Sequence, residues 1–339
     1  MPKRWQSAIG CVLPSRSGNR FVVSNRRSEM RWLHALAIFA ALHLCGEVAR
    51  AADLGRIVWP KAVEVHQGEL VEVKLKGNDL AAVEGQIGNE KIGFYPSGPG
   101  MLTTIVGADV EAKPGSSKIF LKATDSSGNE HYREIPFKIK AKAFGRESFT
   151  VPPNFDRMSP ETIEEIRREQ AAFTRVFAAP NSDRMWDGPF VRPVPHEASA
   201  SSFGFRRIVN GTRRAPHTGT DLSAPIGTEV VASNHGRAVL VGNFFFAGGS
   251  VVLDHGGGLF TMYFHLSEFK VEEGAMVKKD DVVALSGATG RVTGPHLHWG
   301  ARLLNARIDP LELLKKISRV WEPTRYTDTL SKMEKVHGP

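Results

Sequence analysis

The chain has 339 residues, of which 41% are hydrophobic and 24% are charged. That length allows two domains, and the apolar content excludes wholesale disorder because it is enough to form a packed core. The formal net charge is +8, but residues 1–51 contain eight basic and two acidic residues and so hold +6 of it. The remaining +2 is nearly balanced, which argues against a nucleic-acid partner.

The first 51 residues have the order of a secretory signal peptide. Arg26, Arg27 and Arg31 precede a short apolar run at 33–42, and Ala49-Arg50-Ala51 follows as a cleavage site with small residues. The apolar run is too short to span a bilayer comfortably. We therefore expect export to the periplasm or cell envelope, a mature chain that begins near Ala52, and no stable membrane span in it.

Two alternatives for the leader stay open at this point. The apolar run can instead be an N-terminal membrane anchor, and translation can start at Met1 or at Met30. Cys11 and Cys45 both lie in the leader, so the predicted mature chain can form neither a disulfide nor a thiolate metal site. Cys45 is a poor lipidation site because the bulky Leu44 precedes it.

Residues 54–142 are predicted to be all-β. Apolar and polar residues alternate at 63–66, 70–75, 118–123 and 135–139, which is typical of half-buried strands. Turns rich in Gly, Asp and Asn separate these stretches. The spacing predicts a small β-sandwich, similar in length and pattern to immunoglobulin-like modules.

Residues 143–190 are predicted to be a connector with one helix. Ser159 is a suitable N-cap and Pro160 a suitable first helical residue. The helix is expected to end near Phe177. Its many charged residues favour a largely solvated, bridging helix.

Residues 191–320 are predicted to form a second β domain, with a short helix from Pro310 and a tail at 321–339. Glycine and β-branched residues are frequent, and no long helical period precedes Pro310. The expected fold class is therefore mainly β: an N-terminal immunoglobulin-like sandwich, a connector helix and a C-terminal antiparallel β-sheet domain.

Histidines and an aspartate occur in this second domain at the spacing of metal ligands. In an extended strand, His217 and Asp221 lie on one face because the side-chain period is two, and His296 and His298 do the same. Two such strands side by side would direct two imidazoles and a carboxylate to one ion. That set is typical of catalytic zinc, with a fourth position left for water.

A further histidine near such a site could handle protons. His296 is a candidate by its spacing, and His265 is a second candidate from a third strand. Five other histidines are interpreted as surface or structural residues: His66, His131, His196, His235 and His337. His255 precedes three glycines and is interpreted as structural.

The order of motifs in this region resembles the lysostaphin-type zinc endopeptidases, or LytM-domain proteins. The resemblance covers roughly residues 200–310. It is carried by 203–207, 210–211, 216–222, 224–228, 263–267, 286–290 and 293–300, which include Pro-His-Thr-Gly-Thr-Asp-Leu and Gly-Pro-His-Leu-His-Trp-Gly.

The resemblance implies one Zn2+ per chain, bound by His217, Asp221 and His298. It also implies that His265 and His296 orient the water and stabilise the tetrahedral intermediate. The implied fold is an antiparallel sheet with a groove over the zinc. The implied activity is zinc-dependent endopeptidase cleavage of Gly–Gly or D-Ala–diaminopimelate bonds in peptidoglycan stem peptides. A His-Glu-x-x-His helix is absent.

Two other functions are alternatives at this point. The domain could be an inactive zinc-binding module that recruits another wall hydrolase, although the complete set of five residues argues against it. Residues 271–279 resemble half of a biotinyl- or lipoyl-carrier fold, but no Met-Lys-Met occurs there. We further expect residues 54–190 to modulate activity, with the connector helix or the loop near Asn210 covering the groove. The sequence identifies neither the bond cut nor any protein partner.

Overall fold

Strands dominate the structure, as the alternating patterns predict. The computed structural model describes residues 57–150, 158–195 and 202–317, all in one compact unit of the chain. The predicted signal peptide and the C-terminal tail lie outside these residues. No helix within the described ranges is long and apolar enough to cross a membrane. The domain boundaries given above stay predictions.

The first nine strands form two sheets that share a core. One sheet has the order β1-β3-β7-β6 and the other the order β2-β9-β8-β4-β5. The four stretches predicted from alternation lie in β2, β3, β8 and β9. The bounds are β1 Ile57–Val58, β2 Val63–His66, β3 Leu70–Gly77, β4 Leu80–Ile87, β5 Glu90–Gly93, β6 Tyr95–Gly98, β7 Met101–Gly107, β8 Gly115–Asp125 and β9 Glu130–Lys140.

The remaining strands build the C-terminal half. Strands β10–β12 form a three-stranded sheet in which β10 runs parallel to β11. A nine-stranded sheet has the central order β13-β20-β17-β16-β15-β18, with β19 pairing with β14 and β17, and β21 with β20. The bounds are β10 Arg146–Phe149, β11 Arg206–Val209, β12 Thr212–Pro216, β13 Gly219–Leu222, β14 Glu229–Val231, β15 Gly236–Phe244, β16 Gly248–Asp254, β17 Leu259–Phe269, β18 Met276–Val277, β19 Val282–Ser286, β20 Leu297–Leu303 and β21 Ala306–Ile308.

The two helices begin where the sequence predicts. Helix α1 spans Pro160–Ala178, and the Ser159 hydroxyl accepts a hydrogen bond from the backbone N–H of Thr162. Helix α2 spans Pro310–Lys316, and the Asp309 carboxylate accepts from the N–H of Leu311. Both starts therefore combine a side-chain N-cap with proline at the first helical position.

Both faces of the large sheet are covered. One face carries Tyr263 and Trp299, which are fully buried in the main core together with Trp186. The opposite face carries Phe260 and Phe264, which pack with residues of α1. Side chains alternate along β17, so neighbouring residues of one strand serve two separate cores.

Helix α1 is largely solvated but packs on the sheet through a few aromatic residues. Phe173 packs against Phe244 and Phe264, with ring centroids 4.9 and 5.8 Å apart. Phe177 meets Phe260 edge to face at 5.2 Å and is itself buried. The charges occupy the outer side of the helix, while its aromatic residues pack on the sheet. Most of the helix is therefore solvated, as its charges predict, while a narrow apolar stripe packs on the sheet.

The sandwich is joined to the C-terminal half by a buried ion pair. Arg307 of β21 donates to both carboxylate oxygens of Asp109, at 2.6 and 2.8 Å. Burial alone would raise the pKa of Asp109, but these bonds more than offset it and lower that pKa. Leu70 and Ile105 of the sandwich also lie in the main core of the C-terminal half.

His255 is structural, as interpreted from sequence. Its Nδ1 donates to the carbonyl oxygen of His235 at 2.7 Å, and its Nε2 lies 2.7 Å from the Thr261 hydroxyl. The ring is fully buried, and this burial lowers its pKa to about 4. The imidazole is therefore neutral in the folded protein at physiological pH.

Phe177→Ala is expected to lower the free energy of unfolding by about 3–5 kcal/mol, because it removes a buried ring and leaves a cavity between α1 and the sheet. Denaturant unfolding of the purified protein measures this. The matched control is Arg167→Ala on the exposed side of α1, where a surface pair with Glu164 is lost and a change within about 1 kcal/mol is expected. Equal effects would mean that α1 does not pack on the sheet.

His255 is expected to destabilise the fold in acid. The unfolded chain takes up a proton near pH 6.5, whereas the native protein takes it up only near pH 4. The contribution to stability is complete above pH 6.5 and falls by about 3 kcal/mol as the pH drops to 4. Urea unfolding with chelator present should show a steeper loss in the parent protein than in His255→Gln. An equal loss of unfolding free energy with falling pH in both proteins would contradict this.

Candidate metal centre

Strand pairing brings the predicted ligands together. Asp221 on β13 lies directly opposite His298 on β20 in an antiparallel register. His217 lies in the short break between β12 and β13, so the extended strand assumed from sequence is interrupted. Its Nε2 is nevertheless 3.2 Å from Asp221 Oδ1. The expected juxtaposition is therefore present, although by a different local path.

Three donor atoms converge on one point. His217 Nε2 is 3.0 Å from His298 Nδ1, and His298 Nδ1 is 3.0 Å from Asp221 Oδ1. Zinc bonds of about 2.1 Å in tetrahedral geometry imply donor separations of roughly 3.4 Å. The separations observed are close to that value, and the three donor atoms all lie within 4.8 Å of one another. The site therefore fits a small divalent cation.

The protonation states also suit a metal. His217 Nδ1 donates to the carbonyl oxygen of Ser202 at 3.1 Å, which leaves Nε2 with its lone pair facing Asp221. Burial lowers the pKa of His298 to about 4. Burial alone would raise the pKa of Asp221, but the adjacent His217 and His298 hold it well below its usual range. At neutral pH His298 is therefore a neutral imidazole and Asp221 a carboxylate.

Neighbouring residues fix the ring of His298. Phe264 stacks on it with a centroid distance of 5.5 Å and an interplanar angle of 6°. Gly219 faces it from the adjacent strand, where a β-carbon would clash with His298 Nε2. Because Phe173 of α1 packs against Phe264, the connector helix supports a predicted metal ligand through one intervening ring.

His265 reaches the same site through an unusual backbone conformation. Strict alternation along β17 would direct it to the core that holds Tyr263, away from Phe264. Its φ is +66°, in the left-handed region that few non-glycine residues adopt. The ring consequently lies 4.9 Å from that of His296 and 6.0 Å from that of His298.

The two predicted catalytic histidines use the same ring nitrogen, Nδ1, for a hydrogen bond to the backbone. His265 Nδ1 donates to the carbonyl oxygen of Thr289, and His296 Nδ1 donates to that of Gly294, both at 2.9 Å. In a neutral imidazole this bond makes Nε2 the nitrogen with the lone pair. His296 Nε2 is 3.6 Å from Asp221 Oδ1. Burial, reinforced by the neighbouring His298 and His296, lowers the pKa of His265 to about 3.

The histidines interpreted as structural lie elsewhere. His66 is near Glu69, and His131 is near Asp125. His235 Nδ1 accepts a hydrogen bond from the backbone N–H of Lys279. His196 and His337 lie outside the described residues.

Sequence reasoning missed three contributors to this centre. Ser202 orients His217, Phe264 stacks on His298, and Arg207 places Nη2 3.8 Å from Asp221 Oδ2. Phe264 directly precedes His265, and Arg207 lies within the motif at 203–207, so the sequence already placed both residues near predicted site motifs. Their contacts depend on strand pairing, which no local pattern specifies.

Comparison with known proteins identifies the domain. Residues 215–310 match the profile of Peptidase family M23. Peptidoglycan DD-endopeptidase ShyA of Vibrio cholerae is 48% identical over 101 residues, 30% of this chain and 24% of that protein. DD-carboxypeptidase/endopeptidase Mpg of Neisseria meningitidis is 38% identical over 125 residues, 36% of this chain and 28% of that protein. The chain thus spans about a quarter of the length of these relatives.

A solved structure extends the likeness beyond this segment. A Pseudomonas aeruginosa protein described as a candidate peptidase M23 is 25% identical, with a TM-score of 0.56, and the match covers 76% of this chain and 95% of that one. The segment matched by the family profile contains all five clustered residues. At residues 215–310, this chain is therefore similar to peptidase family M23.

Proposed function

We propose that the protein is a zinc-dependent endopeptidase that hydrolyses peptide cross-links of bacterial peptidoglycan. The convergence of three metal-ligating atoms beside two further histidines supports this most strongly. The relatives named as peptidoglycan DD-endopeptidases support the substrate class. An exported, periplasmic or envelope location would agree with such a substrate and with the leader sequence.

His217, Asp221 and His298 would hold one zinc ion per chain. When bound, zinc would polarise the scissile carbonyl and lower the pKa of water to about 7. The carbonyl oxygen of Ser202 keeps His217 in the tautomer that ligates through Nε2. Phe264 and Gly219 hold the ring of His298 in place from its two sides. This preorganised shell limits the rearrangement needed on metal binding.

His265 and His296 would handle the proton. Each uses Nδ1 for a hydrogen bond to a backbone carbonyl, so that Nε2 carries the lone pair when the ring is neutral. The Nε2 of His296 lies closest to Asp221, so it is placed to take a proton from the attacking water and pass it to the leaving amine. Once protonated, either ring can donate to the oxygen that gains charge in the tetrahedral intermediate.

The inactive wall-binding module is the alternative. It predicts metal binding without hydrolysis and needs no residue beyond the three ligands. The strained conformation of His265 is unexplained on that reading, because left-handed backbone at a histidine costs free energy that a binding module has no reason to retain. This observation favours the enzyme.

The catalytic unit is proposed to include α1 and to begin before residue 191. Helix α1 covers Phe260 and Phe264, and Trp186 and Phe190 lie in the main core. A fragment 191–320 would expose these surfaces. We also propose that α1 or the loop near Asn210 covers the groove in the resting protein, since α1 packs on the sheet face that carries His298.

Replacement of any one ligand is expected to release most of the zinc. His217→Ala, Asp221→Ala and His298→Ala each leave two donors, too few for a stable site. Elemental analysis of the purified variants measures zinc per chain. The matched control is His131→Ala in the sandwich, which should retain the metal content of the parent protein. Full zinc occupancy in His298→Ala would contradict the ligand assignment.

His265→Ala and His296→Ala are expected to keep zinc and to lose activity by about 10²–10⁴-fold, the usual effect of removing a proton-handling group. The measurements are zinc per chain and peptide release from purified peptidoglycan, made on the same preparations. A variant that loses zinc together with activity would identify that residue as a ligand. Near-normal activity would identify it as a bystander.

A further inference from the structure

Arg207 lies beside the candidate metal centre but belongs to another sheet. It is on β11, and its Nη2 is 3.8 Å from Asp221 Oδ2, the carboxylate oxygen that faces away from the two histidines. Both side chains are about one-third exposed. The guanidinium therefore lies at the rim of the site, where it can reach solvent and the metal-ligating carboxylate at once.

The connector strand holds Arg207 in this position. Glu147 of β10 lies directly opposite it in the parallel β10–β11 pairing, and Glu147 Oε2 is 3.5 Å from Arg207 Nε. Both ion pairs of Arg207 are longer than a hydrogen bond. Within residues 57–150, 158–195 and 202–317, Nε is a buried donor without a hydrogen-bond partner.

A guanidinium held at a fixed point with uncommitted donors is suited to a carboxylate. Arginine binds carboxylates in bidentate fashion, and the exposed third of this side chain does not include the buried Nε. Acceptors on Asp221 and Glu147 already flank the group, but neither is within hydrogen-bonding distance. The geometry leaves the outer edge of the guanidinium for an anion from outside.

We propose that Arg207 binds a free carboxylate on the substrate residue that follows the scissile bond. This inference rests on the proposed peptidase function. Successive α-carbons are 3.8 Å apart, so a carboxylate one residue beyond a bond bound at the centre comes within reach of a group 3.8 Å from Asp221. Arg207 is thus a specificity-determining residue for the leaving half of the substrate.

The substrate class follows from this assignment. A cross-link made through the side-chain amine of diaminopimelate leaves a carboxylate free on the carbon that bears the scissile nitrogen. An interior Gly–Gly bond of a glycine bridge offers no carboxylate there. The position of Arg207 therefore favours D-Ala–diaminopimelate cross-links over glycine bridges.

The test compares two synthetic cross-linked peptides that differ only at this carboxylate, which is free in one and a carboxamide in the other. The zinc-loaded full-length protein should cleave the acid about 10–100-fold more efficiently, in keeping with one charge-assisted interaction. Arg207→Gln should lose this preference through a raised KM for the acid, so that the variant cleaves acid and amide with similar efficiency. Arg213→Gln is the matched control, because Arg213 is exposed on the same hairpin, opposite Ile208.

Each outcome decides the inference. Equal losses on both peptides, or loss of zinc, would make Arg207 a positioning residue for Asp221 and overturn the proposal. If the parent protein cleaves the acid and the amide equally well, the proposal is also overturned. If the protein cleaves neither peptide, the proposed activity fails separately. Calorimetric binding of the diaminopimelate half-peptide, acid against amide, to the parent protein and Arg207→Gln then decides whether Arg207 binds the carboxylate.

Discussion

The register of β13 against β20 is the constraint on which the site depends. It places Asp221 opposite His298, and the carboxylate then contacts both His298 and His217. A slip of one residue would move each ligand to the opposite face of the sheet. Leu222 and Leu297 form the next pair in the same register and are fully buried in the main core. The packing that stabilises the fold thereby also fixes the separations of the donor atoms.

Support for the site comes from outside the matched domain. Phe173 of helix α1 packs against Phe264, the ring that stacks on His298. Glu147 of β10 lies beside Arg207. Both elements lie in the segment first interpreted as a connector. The sandwich is tied in through Arg307 and Asp109. Helix α1 and strand β10 therefore contact residues that themselves touch the candidate metal centre.

The sequence predicted features that depend on local chemistry. The fold class, the cap at Ser159, and the five site residues follow from periodicity, spacing and family resemblance. Periodicity could not reveal the left-handed conformation of His265, because that conformation breaks the alternation on which the reasoning depends. It also could not place α1 or Arg207, since their contacts join elements far apart in sequence. The site residues and their roles remain proposals, while their proximity is observed.

We predict that the four histidines around Asp221 and this carboxylate form one metal-dependent hydrolytic centre. Digestion of purified peptidoglycan, with mass analysis of the soluble products, tests this most directly when done before chelation, after chelation, and after addition of one equivalent of zinc. We expect soluble products that arise only from peptide-bond cleavage. The chelator should abolish their release, and zinc should restore it. Products from glycan cleavage, or hydrolysis that persists after complete metal removal, would contradict it.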